Sequence, residues 1–148
     1  MNVAVLYQSL RGGTERAAHR IAAELAARSA TVGVYPVANF DAQFVLKADL
    51  IILGTWTDGL FGIGAKPAQL GKLNNFPSIV HRPVAGFVTY EISDHLSLTK
   101  FQEWLEEREA KVVATAGFKV RGLGARDIGE PVKEFVDAAL ASLEASST

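Results

Sequence analysis

The chain has 148 residues, 49% of them hydrophobic, which suits one domain built on a single core. It has no cysteine, which excludes disulfides, thiolate catalysis and cysteine-held metal or iron–sulfur sites, so any redox role must come from an organic cofactor. A formal net charge of -1 argues against nucleic-acid binding through a broad basic field, and no apolar run approaches the roughly 20 residues of a membrane helix.

Met1 leads straight into a strand-like segment with no charged-then-apolar leader, so a soluble, cytoplasmic chain is expected. Residues 2–8 (NVAVLYQ) are short, β-branched and aromatic. After a glycine turn, residues 14–28 place Ala17, Ile21, Ala22 and Leu25 at helical spacing. Further strands are predicted over residues 30–37, 48–54 (ADLIILG), 83–89 (PVAGFVT) and 111–120. Helices are predicted over 66–74, over 98–108 with Phe101, Trp104 and Leu105 on one face, and over 131–143; residues 40–46 read as a short helical turn. Glu103, Glu106, Glu107 and Glu109 read as a solvated helix face.

Continuously apolar strands separated by helices predict a parallel sheet covered on both faces, an α/β three-layer α/β/α sandwich. With no internal repeat or linker, residues 1–148 are expected to form one domain. The small polar stretch 141–148 is expected to fray.

The strongest chemical signal is Ser9-Leu10-Arg11-Gly12-Gly13-Thr14-Glu15, between the first strand and the first helix. Backbone N–H groups and the positive end of the helix dipole can hold a dianionic monophosphate there, with Ser9 and Thr14 adding hydroxyl donors. Gly12 and Gly13 permit close backbone approach, and Arg11 can pair with the phosphate or reach solvent. The competing reading is a plain strand-to-helix turn with Thr14 as its cap. The motif has neither the glycine spacing of a dinucleotide fingerprint nor the Gly-Lys-Ser/Thr of a nucleotide triphosphatase.

A second loop, Gly54-Thr55-Trp56-Thr57-Asp58-Gly59, leaves the third strand at the edge where open parallel sheets bind ligands. An indole on such a loop is costly unless a flat ring covers it, or unless it packs on a neighbouring helix. A third loop, Thr89-Tyr90-Glu91-Ile92-Ser93-Asp94-His95, leaves the fourth strand and offers Tyr90 or His95 to the other ring face; His95 also fits an ordinary helix-cap neighbour. Together the three loops make one site for a phosphate-bearing aromatic ligand.

On these residues the chain resembles the flavodoxin family. Ser9-Leu10-Arg11-Gly12-Gly13-Thr14-Glu15 is similar to its phosphate loop Ser/Thr-x-Thr-Gly-x-Thr-Glu, and Gly54-Thr55-Trp56-Thr57-Asp58 to its first flavin-flanking loop. The resemblance covers the whole chain. It implies a five-stranded parallel sheet of order 2-1-3-4-5 with FMN at its carboxyl edge. Only residues 121–128 separate the last strand from the last helix, which resembles the short-chain type.

Carried over by motif position, Ser9, Leu10, Arg11, Gly12, Gly13 and Thr14 would hold the phosphate, Thr55 the ribityl or phosphate end, and Trp56 would stack on the inner ring face. The backbone at Thr57, Asp58 and Gly59 would meet the flavin N5 edge. Thr89, Tyr90, Glu91 and His95 would border the outer face, with Glu91 at the acidic position.

Four features depart from the family pattern. Arg11 replaces a threonine. Thr57 stands where glycine usually allows the N5 peptide to turn, so little one-electron-reduced flavin is expected to accumulate. The third loop lacks Gly-Asp-x-x-Tyr, and the chain is near neutral rather than strongly acidic.

The resemblance implies an electron carrier that shuttles between redox partner proteins, without catalytic side chains or a metal. A monomer is expected, with a dimer as the alternative. Two other readings remain: an FMN-dependent NAD(P)H or quinone reductase whose residues 59–64 and Phe61 admit a second flat substrate, and an interaction domain that has lost FMN.

Overall fold

The computed structural model describes residues 1–8, 12–56, 79–91, 95–120 and 127–146. Five strands, β1 (Asn2–Tyr7), β2 (Thr31–Pro36), β3 (Leu50–Trp56), β4 (Pro83–Tyr90) and β5 (Lys111–Lys119), form one sheet of order β2-β1-β3-β4-β5. Every pairing is parallel, as predicted. Among the described residues the helices are α1 (Gly13–Ala27), α2 (Ala42–Lys47), α3 (His95–Glu107) and α4 (Gly129–Ser146). The helix expected over 66–74 lies outside the described residues.

The central strands bury both faces, and the alternation of their side chains divides the interior in two. Val3 and Val5 of β1 join Ala17, Ala18, Ile21 and Leu25 of α1 and Val132, Phe135 and Val136 of α4. Ala4 and Leu6 of the same strand face Val45 of α2 and Phe101, Trp104 and Leu105 of α3. The sheet is therefore the middle layer, with α1 and α4 on one side and α2 and α3 on the other. No helix among the described residues is long and apolar enough to cross a membrane.

Local chemistry explains why even the six-residue α2 persists. Asp41 accepts from the backbone N–H groups of Gln43 (3.0 Å) and Phe44 (3.1 Å), capping the amino end. At the other end, Arg82 Nη2 donates to the carbonyls of Val45 (2.6 Å) and Ala48 (3.0 Å), placing a cation where the helix dipole is negative. Partial burial pushes the Arg82 guanidinium pKa down.

Two ion pairs tie α1 to α4 and to the segment just before it. Arg28 bridges Asp137, and Arg20 bridges Asp127 at 2.9 Å. The Asp127 carboxyl is held below the ordinary aspartate value, first by the Gly129 backbone N–H and then by Arg20.

Several boundaries differ from the sequence reading. Helix α4 runs through Ser146, so six residues of the segment expected to fray are helical, because the helix docks on β5 and α1. The strands β3 and β4 run on to Trp56 and Tyr90, two and one residues past the predicted ends, because ladder pairing continues through Trp56↔Thr89 and Tyr90↔Lys119.

Candidate functional site at the carboxyl edge of the sheet

Strand β1 delivers the chain to the first helix at the carboxyl edge. Gly12 is the N-cap of α1 with φ 85°, a left-handed conformation that glycine adopts freely, and its carbonyl accepts the Arg16 N–H at 2.9 Å. The N-cap is this glycine, so Thr14 is not the cap that the competing reading required. It is the second helical residue, 1% exposed, and its Oγ1 lies 2.7 Å from Thr89 Oγ1 at the end of β4.

Of the buried polar residues, three gather at this edge: Thr14 on α1, Thr55 on β3 and Thr89 on β4. The Thr55 hydroxyl donates to Gln8 Oε1 at 3.4 Å, and the Gln8 backbone N–H donates to the Gly54 carbonyl at 2.9 Å, which closes the end of β1 against β3. Hydroxyls are rare in such an interior unless something polar uses them.

Gln8 and Arg16 belong to this edge although their roles were not read from the sequence. A Cβ on Gly12 would stand 3.1 Å from Arg16 Nη1, so the guanidinium lies against the loop. Its position one helical turn beyond Gly12 was the available signal. Glu15 turns outward instead, accepting from the Tyr7 hydroxyl at 3.1 Å. Burial, and then the Glu15 carboxylate, pushes the Tyr7 pKa up.

Thr55 and Trp56, expected on a loop, are the last two residues of β3; Thr89 and Tyr90 end β4, and His95 opens α3. Trp56 is the register partner of Thr89, and strand alternation assigns both to the α1–α4 face of the sheet. Tyr90, one residue on, belongs to the α2–α3 face. The two aromatics thus end neighbouring strands on opposite faces of the sheet. Glu91 follows β4, partly buried. Ser9, Leu10, Arg11, Thr57, Asp58 and Gly59 lie outside the described residues.

The residues present fit FMN. A left-handed glycine opening a helix, an arginine lying against it and the buried Thr14–Thr89 hydroxyl pair make an anion-binding cradle. Half-buried aromatics end the neighbouring strands.

Residues 5–147 match the family model for flavodoxin. The chain belongs to the flavodoxin family. Members of this family bind FMN and transfer electrons to redox partner proteins. No curated protein matches at the sequence level.

Among solved structures, the two-electron-reduced flavodoxin of Megasphaera elsdenii is 23% identical, with a TM-score of 0.74 over 94% of this chain and 98% of that one. Flavodoxin 2 of Bacillus cereus, in its oxidised form, is 25% identical with a TM-score of 0.70, over 95% and 99% of the two chains. A flavodoxin from the domain Archaea is 18% identical and covers 100% of both, with a TM-score of 0.72. The short-chain length and the strand order expected from the sequence agree with these likenesses.

Proposed function

We propose that this chain is a cytoplasmic, monomeric one-domain electron carrier whose FMN is held by the three segments ending β1, β3 and β4. The observation that carries this reading is the buried Thr14–Thr89 hydroxyl pair beside the α1 start, with Thr55 buried at the end of the neighbouring strand β3 on the other face of the sheet. The helix start, Gly12, Gly13, Thr14 and the adjoining Ser9, Leu10 and Arg11 take the phosphate, with the Arg16 guanidinium as a further cation. Thr55 takes the ribityl end. Trp56 stacks on the inner ring face, and Tyr90 or His95 closes the outer one. Thr57, Asp58, Gly59 and Glu91 border the pyrimidine and N5 side.

Bound there, FMN supplies the electron-carrying group, and the protein sets its potential by stacking, apolar walls and nearby charge. Partner recognition would fall to the exposed rim around the ring, with the phosphate held at the start of α1.

The electron source separates a carrier from a reductase. A carrier loaded with FMN is reduced by a flavoprotein reductase and shows no steady NAD(P)H turnover with a quinone. Sustained turnover without any second protein would contradict the carrier reading.

A further inference from the structure

Thr14 and Thr89 are 75 residues apart in sequence, yet their hydroxyl oxygens are 2.7 Å apart. Both residues are almost wholly enclosed, at 1% and 2% exposed, so bulk water does not compete for the bond. Either oxygen can be the donor.

A hydroxyl has one proton to give and two lone pairs to receive with. A phosphate monoester above its second pKa of about 6 presents acceptors only to a neighbouring hydroxyl. If Thr14 gives its proton to the phosphate, the bond to Thr89 survives only with Thr89 as donor. The direction of the threonine pair is then fixed by the ligand, and the chained hydroxyls polarise one another.

The geometry points to Thr89 as a positioning residue: its hydroxyl donates to Thr14 Oγ1 and so aims the Thr14 proton at a phosphate monoester lying at the start of α1. The proposal rests on the reading of this edge as the FMN site, and it changes the role of Thr89 from contacting the cofactor to acting through Thr14.

The local structure suits that role. Thr89 is fixed on both sides by the sheet, opposite Trp56 on β3 and Phe118 on β5. Its branched Cβ restricts χ1 further. Thr14 sits in the first turn of a helix whose N-cap is a glycine, where an outside partner is most useful in holding a rotamer.

The test compares Thr89→Val, which keeps the shape and removes the hydroxyl, with Thr89→Ser, which keeps the hydroxyl. Dissociation constants for FMN and for riboflavin, which lacks the phosphate, are read from quenching of flavin fluorescence. Thr89→Val is expected to weaken FMN binding roughly 2–10-fold, the scale of one neutral hydrogen bond, and to leave riboflavin binding unchanged. Thr89→Ser restores FMN affinity. Adding Thr89→Val to Thr14→Val weakens FMN no further, because the two groups act as one.

An equal loss for FMN and riboflavin would mean a merely structural role and would overturn the proposal, as would unchanged FMN affinity in Thr89→Val. In both cases the FMN site itself would stand, since the unsubstituted protein binds FMN. An unsubstituted protein unable to hold FMN would overturn the reading of the edge and the proposal together.

Discussion

Gly54→Ala is expected to destabilise the protein by on the order of 3 kcal/mol, at the upper end of what overpacking a core costs. A Cβ at Gly54 would overlap the Cζ, Cε1 and Cε2 atoms of Phe87, its register partner on β4. The ring cannot simply swing away. It packs against Phe118 at 5.8 Å and Phe135 at 6.2 Å between centroids, and the residue is fully buried. Either the aromatic cluster or the β3–β4 spacing must give.

The effect should reach the site, because Thr55 and Trp56 are the next two residues of β3. Denaturant midpoints at an unchanged slope would measure it. Shrinking the neighbour in a Gly54→Ala/Phe87→Leu double variant should return part of the loss, since the two changes share one space. A Gly54→Ala protein as stable as its parent would mean that Phe87 does not occupy that space.

The second large effect concerns the ligand. Trp56→Ala is expected to weaken FMN binding by on the order of 1–3 kcal/mol, because an indole face on a flavin contributes buried area and stacking together. Stability without FMN should change much less, since Trp56 ends its strand half-buried. Fluorescence titration with FMN measures the first quantity and unfolding of the flavin-free protein the second. Unchanged affinity with lowered stability would show that the indole packs on the protein instead.

The fold was legible because its signals are local and repeated. Segments such as ADLIILG and PVAGFVT are apolar on both faces, which only a covered parallel sheet satisfies, and the helical spacing of Ala17, Ile21 and Leu25 is the α1 contact surface. Strand ends were less legible. Thr55, Trp56 and Tyr90 read as loop residues because glycines and polar residues adjoin them, yet their strand-favouring side chains stay in the ladders of β3, β4 and β5.

The glycine turn before α1 could be read from Gly12 and Gly13, but the partner of Thr14 could not. The Thr14–Thr89 bond joins residues far apart in sequence, and no periodicity encodes such a meeting. Arg16 was passed over for a related reason. An arginine in a first helical turn is usually a solvated side chain, and only the fold lays its guanidinium against Gly12.

The central claim is that this edge holds FMN. The visible spectrum of the purified protein after incubation with FMN and removal of free ligand tests it most directly. The account predicts flavin absorption bands at close to one FMN per chain, with the bound flavin's fluorescence quenched by the stacked Trp56. A folded protein that stays colourless after the same treatment would contradict it.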